Sequence, residues 1–127
     1  MNQSSTKKAL VVEDNPDMLE VLSCQLQMLG FSVITANNGR EGVKKAIKEK
    51  PQLILMDIMM PKMDGREATR KIRSNPETQA IPILASTALF LSSDLSSCIK
   101  AGCSSYISKP FTSQELREKI QHIFPIA

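Results

Sequence analysis

Residues Leu53 to Gly65 read LILMDIMMPKMDG, and the fold turns on how this stretch is read. The apolar run Leu53 to Met56 is too short for a helix and suits a strand buried on both faces, as in an all-parallel sheet. Asp57 is then the first residue to leave the sheet, with Pro61 and Gly65 making the turn behind it. A carboxylate there is either a turn or helix cap, because aspartate readily accepts from local backbone N–H groups, or a chemical group on display. The rest of the chain decides between the two by what it brings to the same place.

Upstream, Lys8 to Val12 (KALVV) is a short apolar run that stops at Glu13-Asp14, the pattern of another buried strand. Asn15 offers an N-cap and Pro16 the first helical position; Met18, Leu22, Leu26 and Leu29 form one apolar stripe, and Gly30 supplies the exit. Phe31 to Ala36 alternates as a second strand. Asn37-Asn38-Gly39 turns into a helix over 40–50 that buries Val43, Ala46 and Ile47 and stops at Pro51. Downstream, Asp64 with Glu67 resembles a capping box opening a third helix through Ile72 and Arg73, with Asn75-Pro76 as its exit.

Ile81 to Ser86 forms a fourth strand ending at Thr87. Asp94 to Ala101 is a short helix with Leu95 and Ile99 inward and Gly102 as its stop. Ser105 to Ser108 is a fifth strand that ends at Lys109-Pro110. Thr112 and Glu115 make a capping box, Phe111 and Leu116 are placed for a hydrophobic staple, and Leu116, Ile120 and Ile123 bury the last helix. His122, near the end of that helix, meets the helix dipole favourably and is poorly placed as a proton relay.

Strands alternating with helices in this way predict an α/β domain: a doubly wound, five-stranded parallel sheet with helices on both faces. The order 2-1-3-4-5 is taken over from flavodoxin-like sheets, and it places a ligand site outside the carboxyl ends of strands 1 and 3. The domain is expected over 8–124, with a short extension at 1–7 and a tail at 125–127.

The chain has 127 residues, 42% of them hydrophobic, and fits one domain with one core. No apolar run approaches the roughly 20 residues of a membrane span, and the N-terminus lacks a secretory h-region, so a cytoplasmic protein without membrane insertion is expected. Cys24, Cys98 and Cys103 include no C-x-x-C pair, which points to reduced thiols. A net charge of +3 permits an acidic partner surface without indicating nucleic acid. Lys44, Lys45, Lys48 and Lys50, with Arg66, Arg70, Lys71 and Arg73, read as solvated helix faces. One Tyr, four Phe and no Trp leave no stacking platform for single strands.

Glu13 and Asp14 end the first strand, Asp57 the third, Thr87 the fourth and Lys109 the fifth, so all five lie at one edge of the sheet. Carboxylates so close repel one another unless a cation joins them, and an all-oxygen set suits Mg²⁺ better than zinc. Given that ion, an exposed Asp57 can act as an oxygen nucleophile toward phosphorus, with Lys109 and Thr87 serving the transferred oxygens. Each of these residues alone has an ordinary explanation; their joint placement does not.

Glu13-Asp14, the MDIMMPKMDG segment, Thr87-Ala88, Tyr106 and Lys109-Pro110-Phe111 together resemble the receiver domain of bacterial two-component response regulators, over nearly the whole chain. The resemblance is to single-domain, chemotaxis-regulator-like receivers. It implies that Asp57 accepts a phosphoryl group from a phosphohistidine on a histidine kinase or phosphotransferase domain. It implies Mg²⁺ held by Asp14 and Asp57, by the Met59 backbone carbonyl, and by Glu13 through water. A cis Lys109-Pro110 peptide is implied as well. So is a switch in which Thr87 is drawn to the phosphoryl group, Tyr106 turns inward, and the face of helix 4, strand 5 and helix 5 is remodelled toward a downstream protein target. The family's variable positions two beyond the acceptor and two beyond the threonine are here Met59 and Leu89; neither can hydrogen-bond a water, so self-dephosphorylation is expected to be slow.

Other readings have specific obstacles. A flavin binder of the same fold needs phosphate donors after the first strand, where this chain has Glu13-Asp14-Asn15. A haloacid-dehalogenase-type phosphatase needs a second acidic residue at the place of Met59. The runner-up is a phosphorylation-independent receiver-fold protein-binding module, against which the presence of the whole acidic, Thr and Lys set counts. Met1 and the end after the last helix lead to the expectation of a stand-alone regulator rather than a receiver cut from a hybrid kinase or a larger regulator.

Overall fold

Strand and helix alternate from end to end of the computed structural model, which describes residues 7–58, 63–87 and 92–124, with the backbone only over 92–95. The elements are β1 (Lys7–Val12), α1 (Pro16–Met28), β2 (Phe31–Ala36), α2 (Gly39–Glu49), β3 (Leu53–Asp57), α3 (Gly65–Ser74), β4 (Ile83–Thr87), α4 (Ser92–Ala101), β5 (Ser105–Ser108) and α5 (Ser113–Ile123). All strand pairs are parallel and the sheet order is β2-β1-β3-β4-β5, the doubly wound arrangement expected.

Because strand side chains alternate, consecutive residues feed opposite cores. Ala9 and Val11 of β1, with Leu53 and Leu55 of β3, meet Leu22 and Leu26 of α1 and Leu116 and Ile120 of α5. Leu10 and Val12, with Ile54 and Met56, meet Ala46 of α2, Ala68 and Ile72 of α3 and Cys98 of α4. This is why the central strands are apolar without interruption: both of their faces are covered by helices.

The helix ends follow local chemistry. Asn15 and Asn38 cap α1 and α2 by accepting from Met18 N and Glu41 N. The Asn37 backbone N–H, bonded to Glu41, pulls that carboxyl below its ordinary range. Gly30 leaves α1 at φ 97°, a conformation a Cβ would strain. Thr112 and Glu115 form the expected capping box, and Phe111 packs against the cluster that holds Leu116.

Asp64 caps α3 through Arg66 N and Glu67 N, but the return bond from Glu67 that a capping box requires is not formed among the described residues. Burial opposes ionisation of Asp64, yet its bonds to Arg66 prevail and hold the carboxyl below its ordinary value.

β4, α4 and α2 differ in detail from expectation. β4 starts at Ile83 rather than Ile81, since Pro82 has no N–H to give a ladder, although its carbonyl accepts from Ile54 N at 3.0 Å. α4 starts at Ser92 and turns Cys98 inward, leaving Ile99 45% exposed; the placement of Leu95 lies outside the described side chains. In α2, Gly39, Gly42 and Ala46 are the buried residues, with Val43 and Ile47 half-buried.

Candidate functional site

Five of the predicted site residues lie where a strand runs out. Glu13 and Asp14 follow β1, Asp57 closes β3, Thr87 closes β4 and Lys109 follows β5. Carboxylate oxygens of Glu13, Asp14 and Asp57 all lie within 4.8 Å of one another. The Lys109 ammonium reaches into the group: Nζ donates to Glu13 Oε1 at 3.1 Å and lies 3.5 Å from Asp57 Oδ1. Glu13 Oε2 accepts from Asn15 N at 3.2 Å, so one carboxylate fixes both the lysine and the start of α1.

Asp57 does not leave the sheet and is not on display. It pairs with Ser86 in the ladder, which continues as Ile58 N donates to Ser86 O at 3.1 Å, and it is only 4% exposed. Glu13 is buried as well, and Asp14 is the exposed member of the three. The cause is position: β3 is the central strand, and its last residue is flanked by β1 and β4. Two buried carboxylates beside one another are tolerable only with compensating positive charge, which Lys109 supplies in part.

Thr87 is fully buried in register with Ser108, and its carbonyl accepts from Lys109 N at 2.8 Å. Tyr106 is half-buried, in register with Ala85 and packed against the core beneath α3 and α4. The Lys109-Pro110 peptide is cis, as expected. Met59 and Leu89 lie outside the described residues.

Two neighbours of Asp57 escaped the sequence reading. Gly65 is more than part of a turn: a Cβ there would stand 2.4 Å from the Asp57 carbonyl oxygen and 2.8 Å from Ile58 Cα, while Gly65 N donates to Ile58 O at 3.0 Å. The Asp-Gly pair before a helix was the available signal. Ser86 carries a buried hydroxyl with no hydrogen-bond partner among the described residues, directly in register with Asp57; nothing in an isolated strand sequence distinguishes it.

No helix among the described residues is long and apolar enough to cross a membrane. None of the three cysteines forms a disulfide.

Known proteins resemble this chain in sequence and fold. The chain is 38% identical over 117 residues to the alkaline phosphatase synthesis transcriptional regulatory protein PhoP of Bacillus subtilis, covering 92% of this chain and 48% of that protein. It therefore spans about half the length of that relative. The receiver domain of the sensor histidine kinase PA1611 of Pseudomonas aeruginosa superposes with a TM-score of 0.87 at 36% identity, over 94% of this chain and 98% of that one; its structure has a magnesium ion coordinated in the active site cleft. The chemotaxis protein CheY4 of Vibrio cholerae superposes with a TM-score of 0.89 at 29% identity, over 94% of this chain and all (100%) of that one. With residues 9–121 matching the family model of the response regulator receiver domain, this chain belongs to that family of two-component signalling domains.

Proposed function

We propose that the domain is a phosphorylation-dependent switch. Asp57 takes a phosphoryl group from the phosphohistidine of a histidine kinase or histidine phosphotransferase domain, and the α4, β5 and α5 face passes the resulting state to a downstream protein. The observation that carries this reading is the buried Asp57 carboxylate with the Lys109 ammonium 3.5 Å away and two further carboxylates in reach. A capping aspartate needs none of these neighbours.

The donor set fits Mg²⁺. It is all oxygen, and three carboxylates with one ammonium carry two formal negative charges, which a hard divalent cation balances. Glu13, Asp14 and Asp57 would hold the ion, with the Met59 carbonyl as the family's further ligand. When bound, it neutralises charge on the transferring phosphoryl group.

The chain's own residues supply the rest. An Asp57 carboxylate oxygen attacks phosphorus; the P–N bond breaks with its electron pair going to the donor imidazole, whose nitrogen takes a proton from solvent. Lys109 exchanges its contact with Asp57 for one with a phosphoryl oxygen, and Thr87 donates its hydroxyl to another. A mostly apolar groove of about 400 Å³, lined by Met18, Val21, Leu22, Pro110 and Phe111, adjoins Asp57 through Lys109 and offers the donor domain a surface to dock on. With Met59 and Leu89 unable to position a water, the phosphoryl group is expected to persist.

Incubation with acetyl phosphate and Mg²⁺, read by intact mass, tests the proposal. One added phosphoryl group is expected in the wild type and none in Asp57→Ala, and its decay should be slower in the wild type than in Met59→Asn. An unmodified wild type would point instead to a binding module that works without phosphate, and modification of Asp57→Ala would overturn the site.

A further inference from the structure

Lys119 lies on α5, on the opposite side of the sheet from the core that receives Tyr106. Its ammonium nevertheless stands 5.2 Å from the centroid of the Tyr106 ring. β5 is an edge strand, so a long side chain from α5 can pass around it. The ring is thus held between the apolar cluster on one side and a cation on the other.

The ordinary partner of Lys119 would be Glu115, one turn earlier, in the favourable glutamate-before-lysine spacing. Glu115 is already engaged: its Oε1 accepts from Thr112 N at 2.8 Å in the capping box. Lys119 enters no ion pair among the described residues, although Glu115 and Glu118 line the same pocket of about 370 Å³ beside Tyr106 and His122. The capping box therefore does two things, closing the helix start and leaving the lysine to the ring.

We propose that Lys119 is a positioning residue for Tyr106: its cation sets the population of ring orientations, and so the bias of the output face before any phosphoryl group arrives. The proposal rests on the switch role given to Tyr106 above. The contact favours the held orientation roughly two- to fivefold, the range for a cation over an exposed aromatic ring.

Tyr106 is the sole tyrosine of the chain, so ring-labelled tyrosine gives one unambiguous NMR signal set. Wild type, Lys119→Met and Lys119→Arg are to be compared without a phosphodonor, with backbone amide spectra verifying the fold. Lys119→Met is expected to move the ring resonances and shift the orientation ratio two- to fivefold, and Lys119→Arg, which keeps the cation, to restore the wild-type signals. Wild-type ring signals in Lys119→Met would overturn the proposal, as would equal displacement in both variants. Acetyl phosphate with Mg²⁺ is then added to all three proteins. A ring that never responds to it defeats the switch reading of Tyr106, while the comparison made before that addition still decides whether Lys119 positions the ring.

Discussion

Cys103 shows how burial, as the largest cause, changes one ionisable group. Desolvation raises its thiol from an ordinary 9.0 to about 11, only partly countered by the Thr69 hydroxyl 3.7 Å from the sulfur. The folded protein therefore keeps this proton to higher pH than the unfolded chain does. Its contribution is complete below pH 9 and is lost as pH rises through about 11. Urea unfolding should show a loss of about 1.4 kcal/mol between about pH 8 and about pH 10 beyond that of Cys103→Ala, which lacks the group; parallel pH profiles would refute this. The same physics limited what could be read at Asp57. Its residue type and strand-end position were legible, but its burial was not, because that depends on β1 and β4 running alongside to the same height. The contact of Lys119 with Tyr106 was hidden for a related reason: it crosses the sheet edge between two elements.

Among the elements, α3 starts hard against the backbone of Asp57. Its first residue, Gly65, leaves no room for a methyl group against the Asp57 carbonyl, backbone against backbone, so nothing nearby can yield cheaply. Gly65→Ala should cost about 1–3 kcal/mol and also slow labelling of Asp57 by acetyl phosphate. Thr112→Ala, which removes the cap of α5, should cost about 1 kcal/mol and leave that rate unchanged. Thermal melts and intact-mass time courses on the two variants separate lost stability from a displaced acceptor. Elements with clear pattern and turn signals were legible almost to the residue: β2 and β5 begin and end where those signals put them, while β3 begins at Leu53 as expected and runs one residue further, through Asp57. α4 was not, because its sequence SSDLSSCIKA is half serine and aspartate and carries little phase; burial of Cys98 in place of Ile99 was settled by packing.

At the scale of the whole molecule, the site links folding to its ion. Three carboxylates within 4.8 Å repel one another, and Lys109 offsets part of that. Mg²⁺ bound only by the folded state should raise the thermal midpoint, by the equivalent of about 2.7 kcal/mol at a hundredfold excess over its Kd. Asp14→Asn should invert the pattern: more stable than wild type in a chelator, by about 1 kcal/mol for one such repulsion in a water-like medium, and far less responsive to Mg²⁺. An equal Mg²⁺ shift in both proteins would refute the ligand role of Asp14. The backbone of this site bears on what kind of message can leave it. Asp57 is in ladder register with Ser86, Thr87 with Ser108, and Lys109 N is bonded to Thr87 O. The main chains carrying the acceptor, the hydroxyl and the ammonium thus form one stitched plate that cannot slide without breaking bonds on several strands at once. What remains free is torsion about side-chain bonds, so under the proposed switch a reaction at Asp57 would leave the sheet as a change of angle, first at Thr87 and then at Tyr106, and not as a change of distance.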